Sequence, residues 1–220
     1  MKDYPFSFST LDEFSNNDPY NSVPAEYTKL LNELNHLKKV LNFPAVEENI
    51  GHFFQFFMPI LKPQKIFEMG SGYGHSAFWF LLGGQQWIDQ IILTEKRNDL
   101  KEFYHNLSWP TSWLEKLEYH QDDAFHIIEQ VDQLDLALVD GVKANYLDFL
   151  NILENKMSSH GLVFIDNSFW RGSFLDEHVV AKKQTAKKIA QLHAFIRESS
   201  KWDAVFIPFK DGLTCLRKKN

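Results

Sequence analysis

From Pro63 onward the chain alternates short apolar runs with helical segments, and this alternation restricts its fold more than any other feature. Runs suited to strands fall at Lys65–Met69, Gln90–Thr94, Leu117–His120, Leu134–Val139 and Leu162–Ile165. Helical spacing fills the gaps at His75–Leu82, Asn98–Leu107, Ala124–Val131 and Asn145–Lys156. Parallel neighbours need a crossover element between them, so this order predicts a mostly parallel sheet wound on both faces. A long polar helix over Asp176–Arg197 then leads to apolar runs at Ala204–Phe209 and Leu213–Leu216, separated by Lys210-Asp211-Gly212. That turn signal predicts an antiparallel hairpin closing the sheet. The expected fold is α/β and Rossmann-like: seven strands, a C-terminal antiparallel hairpin, and helices on both faces.

Two helices precede this core. Tyr27, Leu30, Leu31, Leu34, Leu37 and Leu41 follow helical spacing over Ala25–Leu41, and Ile50, Phe53, Phe54, Phe57 and Met58 do so over Val46–Leu61. Pro44 separates them, Pro59 is expected to kink the second, and Pro63 to end it. Met1–Pro24 shows no sustained period and reads as an irregular arm. Residues 25–220 are expected to form one domain, with leading helices over 25–61 and the α/β core over 64–220. A chain of 220 residues is long enough for one substantial core.

Composition narrows the function classes. The net charge of −6 disfavours a general nucleic-acid binder. One cysteine, Cys215, makes neither an intrachain disulfide nor a zinc cluster and suits a reducing compartment. No apolar run of ~18 residues is present for a membrane span. The start, MKDYPFSFSTLDEF, lacks the basic and apolar regions of a secretory signal, so a cytoplasmic protein without membrane contact is expected. Among nine histidines there is no H-E-x-x-H pair, and neither a G-x-S-x-G elbow nor a P-loop occurs.

The turn between the first strand and its helix reads Glu68-Met69-Gly70-Ser71-Gly72-Tyr73-Gly74-His75-Ser76. Glycines at 70, 72 and 74 allow a sharp turn and a close ligand approach. His75 stands where the dinucleotide fingerprint needs its last glycine. Glu68 would repel a pyrophosphate and attract an amine or sulfonium, which suits a zwitterionic cofactor such as S-adenosylmethionine. Glu95 ends the second strand, where an acid can take two ribose hydroxyls. Asp122-Asp123-Ala124 follows the third strand, where an Asp can meet an adenine amine, cap the next helix, or do both.

Asp140 ends the fourth strand and Asp166-Asn167 the fifth. With sheet order 3-2-1-4-5 these ends are neighbours, and two carboxylates and an amide suit Mg²⁺ or a similar hard cation. Lys143 lies just beyond Asp140. A dication and partial desolvation both favour its neutral form, which could accept a proton from a substrate hydroxyl. The segment Lys182–Lys188 reads as a solvated helix face or as a contact for phosphate on coenzyme A or RNA.

At these residues the chain resembles the metal-dependent class I O-methyltransferases, which include catechol and caffeoyl-CoA O-methyltransferases and bacterial relatives. The likeness runs from about Pro44 to Lys218. Glu68, Gly70, Gly74 and Ser76 match the family's E-x-G-x-x-x-G-x-S loop, and Asp140, Lys143 and Tyr146 its D-x-x-K-x-x-Y stretch. Asp166-Asn167 with the following Phe169 and Gly172 matches its D-N pair, and Asp211-Gly212-Leu213-Thr214 its closing strand. Two departures stand out: His75 replaces a frequent Tyr, and Asp122-Asp123-Ala124 lacks the glycine of the family's G-D-A.

The resemblance implies S-adenosylmethionine bound by Glu68, Gly70, Gly72, Gly74, Ser76, Glu95, Asp123, Ala124 and Asp140. It implies a divalent ion on Asp140, Asp166 and Asn167, Lys143 as general base, and Trp170 and Arg171 beside the acceptor. The activity expected is O-methylation of a small aromatic with vicinal hydroxyls. Two alternatives remain open: a transfer-RNA methyltransferase acting on a hydroxylated wobble uridine, and a cofactor-binding protein without catalysis. Acceptor identity and pairing into a homodimer are also open.

Overall fold

In the computed structural model, residues 23–219 are described. The expected arm Met1–Pro24 therefore lies outside the described residues, apart from Val23 and Pro24. Two helices come first, α1 (Ala25–Val40) and α2 (Glu48–Leu61). Each buries one face at four-residue spacing, Leu30 and Leu34 in α1, and Ile50, Phe54 and Met58 in α2. α2 begins two residues later than its apolar pattern, because Glu47 is still extended at ψ 151°. It runs through Pro59 and stops at Lys62, whose left-handed φ of 48° turns its N–H back to the Met58 carbonyl at 2.8 Å. Pro59 has no N–H for the Gln55 carbonyl. There α3 (His75–Gly84) packs so close that any side chain on Gly83 would collide with that oxygen.

The strands are β1 (Lys65–Met69), β2 (Gln90–Thr94), β3 (Leu117–His120), β4 (Leu134–Val139), β5 (Met157–Ile165), β6 (Trp202–Ile207) and β7 (Leu213–Lys218). They form one sheet in the order β3-β2-β1-β4-β5-β7-β6. β1 to β5 are parallel, and β7 runs antiparallel to both β5 and β6, as the hairpin signal predicts. Ile66, Ile91, Leu93, Leu136 and Leu138 join one core with side chains of α1, α2 and α3. Phe67, Ile92, Ala137 and Val139 join a second with α7 (Tyr146–Lys156) and α9 (Gln184–Glu198). Burial on both faces is why these strands read as nearly continuous apolar runs.

Several elements differ from expectation. β6 lies at Trp202–Ile207 rather than Ala204–Phe209, and the helix expected over Ala124–Val131 ends at Ile127 and continues as a 3₁₀ turn over Ile128–Gln130. β5 starts at Met157, five residues early; its first half is Ser-Ser-His, and its register against β4 is irregular between Leu134 and Leu136. After α4 (Leu100–Asn106), a four-residue helix, α5 (Thr111–Leu114), is too short to show a period, and the Trp113 indole anchors it to Gln85 Oε1 at 2.8 Å. The polar helix expected over Asp176–Arg197 is two helices, α8 (Glu177–Lys182) and α9, broken at Lys183 (φ −115°, ψ 116°). α9 buries Ala186, Ile189, Leu192, His193 and Ile196, whereas α8 buries none, so packing fixes the direction of α9 alone. Among the described residues no helix is long and apolar enough to cross a membrane.

Candidate functional site

The carboxyl ends of β1, β2, β4 and β5 meet at one edge of the sheet, where ligands collect in open α/β folds. Beyond β1 the chain turns through Gly70, Gly72 and Gly74 at φ 88°, 56° and 92°. The amides of Gly70 and Ser71 both donate to the Thr94 carbonyl, at 3.0 and 2.9 Å. The Thr94 amide donates to Ser71 Oγ at 2.9 Å in return. Any side chain at Gly70 would collide with the Asp140 backbone, so the ends of β1 and β4 close on each other there. The loop is thus fixed by β2 on one side and β4 on the other.

Glu68 lies under this loop at 1% exposure. One of its oxygens accepts from the Ser76 hydroxyl; the other, Oε2, has no partner among the described residues. Burial, helped by the nearby Glu95 charge, pushes the Glu68 carboxyl up to about 7. An orphaned buried carboxylate oxygen suits a cationic ligand group, which is the donor chemistry S-adenosylmethionine brings. Glu95 holds the loop from β2: Oε2 accepts from the Gly72 amide at 3.1 Å and Oε1 from the Arg97 amide at 2.8 Å.

A cavity of about 410 Å³ opens in front of these groups, a size suited to a nucleoside-type cofactor. Gly70, Glu95, Asp123, Ala124 and Asp140 line it, and so do Lys143 and Asn167. Gly72, Gly74 and Ser76 stand behind the wall: side chains at the two glycines would meet Phe43 and Trp109, and Ser76 is bonded to Glu68. Asp123 caps α6 (Ala124–Ile127), accepting from the Phe125 amide at 3.1 Å, and also pairs with Lys96 at 2.7 Å. Phe43, Pro44, Lys96 and Arg97 line the cavity without having been singled out from the sequence. Lys96 and Arg97 follow a strand-end acid, a usable signal; Phe43 and Pro44 come from the α1–α2 loop and carry none.

The Asp140 amide donates to the Met69 carbonyl at 3.0 Å and the Asp166 amide to the Val139 carbonyl at 3.1 Å. Both acids therefore continue the parallel ladder one step beyond their strands, on neighbours paired through Val139 and Ile165. Asn167 follows at φ 50°, its amide donating to Asp166 Oδ1 at 2.7 Å. Its side-chain oxygen accepts from Lys143 Nζ at 3.0 Å. Lys143 stands in a 3₁₀ turn, Lys143–Asn145, that leads into α7. Burial pushes the Asp140 carboxyl well above the carboxylate range, and the Asp166 and Glu68 charges push it further. Burial likewise raises Asp166 to about 6, against the pull of the Asn167 amide and Lys143. Among the described residues no group of three His, Cys, Asp or Glu side chains is placed to hold a metal. The donor types here are two carboxylates, of which the Asp166 charge opposes ionisation of Asp140, and an amide oxygen that accepts from Lys143; such hard oxygens are the donor chemistry of a hard cation.

A second cavity of about 360 Å³ adjoins the first and shares Pro44, Lys143 and Asn167 with it. Trp170 and Arg171 line this one and not the larger. Trp170, Arg171 and Gly172 are left-handed at φ 41°, 57° and 71°, a conformation that bulky residues rarely hold without support. His120 and His126 bond to Glu118 and Asp122 and take no part in either cavity.

The model of a protein family described as O-methyltransferase matches residues 21–219. A flavonoid 3',5'-methyltransferase from Vitis vinifera is 22% identical over 190 residues, covering 81% of this chain and 79% of that protein. Among solved structures, an SAH-bound methyltransferase from Podospora anserina superposes with a TM-score of 0.79 at 20% identity, covering 100% of both chains. An O-methyltransferase from Bacillus cereus in complex with SAH gives a TM-score of 0.81 at 16% identity, covering 97% of this chain and 100% of that one. At these identities the structural likeness speaks for the fold.

Proposed function

The chain belongs to the O-methyltransferase family and is an S-adenosylmethionine-dependent enzyme, and on that premise we propose that it methylates a small aromatic acceptor with vicinal hydroxyls, in a divalent-metal-dependent reaction. The observation that carries this reading is that Asp140, Asp166, Asn167 and Lys143 follow the adjoining ends of β4 and β5: Lys143 and Asn167 line both cavities, Asp140 lines the larger one, and Asp166 is buried beside them and lines neither. A divalent ion on the three oxygen ligands would acidify the acceptor hydroxyl, and the bound cofactor supplies the methyl group.

The protein's own groups do the rest. Gly70, Glu95, Asp123 and Ala124 would orient the methyl donor in the larger cavity, with Glu68, Gly72, Gly74 and Ser76, which do not line it, shaping its loop from behind. Trp170 and Arg171 hold the acceptor in the smaller one. Lys143 Nζ, held by Asn167 at the junction of the two cavities, would take the hydroxyl proton. The bound donor would supply a sulfonium methyl group to the acceptor oxygen and would leave as a neutral thioether. Rate comes from in-line positioning and charge stabilisation, and no covalent enzyme intermediate is needed.

Incubation with radiolabelled S-adenosylmethionine and catechol acceptors tests this. Methyl transfer that disappears in EDTA and returns with Mg²⁺ is the expected result. Full activity in EDTA would overturn the metal role, and transfer to no catechol acceptor would overturn the substrate class.

A further inference from the structure

The smaller cavity differs in charge from the chain around it. Lys143, Arg171 and Lys183 line it against one carboxylate, Asp211, in a protein of net charge −6. Asp211 is spent on Arg171, whose Nε lies 3.8 Å away, and Lys143 is turned to Asn167. Lys183 has no carboxylate partner among the described residues; its ammonium stands 5.8 Å from the Trp170 ring centroid.

Two backbone irregularities place these cations. Lys183 is the non-helical residue between α8 and α9, so the break brings it to the cavity wall instead of continuing a solvated helix face. Arg171 is left-handed between two other left-handed residues, Trp170 and Gly172. Strained backbone of this kind persists where the surroundings enforce it, and it concentrates at ligand sites.

Lys143 and Asn167 belong to both cavities, so the reacting end of an acceptor is fixed at them. Trp170, Arg171 and Lys183 belong to the smaller cavity alone and face the remainder of the acceptor. Resting on the methyl-transfer reading above, we infer that the acceptor ring carries an anionic group remote from its reacting hydroxyl, and that Lys183 and Arg171 recognise it. The ring lies along Trp170. A guanidinium fork and an ammonium together suit a carboxylate or a phosphate, and Lys143 is left free to serve the hydroxyl.

The test compares kcat/KM for three acceptors sharing one catechol ring: a carboxylate, its neutral carboxamide, and a phosphate ester on a short tail. Wild-type protein should prefer at least one anionic acceptor over the carboxamide by about tenfold, the equivalent of one charge-assisted hydrogen bond. Whichever anion wins identifies the source of the charge. K183Q and R171Q should each reduce the anion-to-amide ratio, the double variant should bring it close to one, and K183R should recover most of it. Thermal melts of each variant check folding, and Lys183 and Arg171 are both exposed. Equal kcat/KM on all three acceptors, or ratios unmoved by K183Q and R171Q, would overturn the inference while leaving catechol methylation intact. Should no catechol be methylated at all, the proposed acceptor class fails, and calorimetric binding of the same three compounds still decides the anion preference.

Discussion

Lys143 and Asn167 are joined side chain to side chain, Nζ donating to Oδ1 at 3.0 Å across the gap between the ends of β4 and β5. One residue proposed to move a proton is thus held by another proposed to hold a cation. K143A should lower kcat by roughly 10²–10⁴-fold, the usual contribution of general acid–base catalysis, while donor affinity changes little. Single-turnover kinetics with calorimetry of donor binding separates the two, and an unchanged kcat would remove Lys143 from the chemistry.

His193 supports the same loop from α9. Its ring lies 3% exposed, stacks on Phe174 with centroids 4.2 Å apart, and donates from Nε2 to the Ser168 carbonyl at 2.7 Å. Removing the donor leaves a buried carbonyl unpaired, so H193L should destabilise the fold by about 1–3 kcal/mol. H193Q, which keeps an N–H, should recover part of that. Urea unfolding of both variants checks it; equal losses would assign the effect to ring packing rather than to the hydrogen bond.

Gly70 offers a test of the cofactor loop. At φ 88°, with Asp140 backbone occupying the space of a side chain, G70A must move either β1 or β4. Strain of about 1–3 kcal/mol is expected from the backbone conformation alone, with a further loss from the clash. S-adenosylmethionine affinity should fall with stability, and G70A that melts and binds like wild type would mean that the loop is not set by this contact.

The strands β1, β2 and β4 were legible residue for residue because burial on both sheet faces writes them as apolar runs with polar ends, whereas β3, Leu-Glu-Tyr-His at the sheet edge with no buried residue, was placed by its position in the alternation. The positions of Glu68, Asp140, Asp166 and Asn167 followed from the same boundaries, since strand ends in a parallel sheet point to one edge. Lys183 was not legible in this way. Nothing in Val-Ala-Lys-Lys-Gln-Thr marks a break, and it arises because α9 docks on the sheet while α8 does not. Phe43 and Pro44 reach the cavity from a loop before the core, a tertiary placement with no local pattern.

His75 gives the fold a predictable response to acid. It begins α3, is 4% exposed, and donates from Nε2 to Asn35 Oδ1 of α1 at 3.2 Å, while Nδ1 has no partner among the described residues. Burial, with Lys38 nearby, pushes the imidazole down to about 3 from its ordinary 6.5. In the unfolded chain the same ring titrates normally, so between those values the unfolded state binds the additional proton. The stabilisation is complete above about pH 6.5 and is lost as pH falls toward 3, by roughly 1.4 kcal/mol per unit. Raised carboxyls such as Glu68 act in the opposite direction, so the informative quantity is the difference between wild type and H75Q. From pH 7 to pH 5 the unfolding free energy of wild type should drop by about 2 kcal/mol more than that of H75Q. Urea titrations at four pH values measure it, and parallel curves would show that His75 is not the group that carries the acid sensitivity.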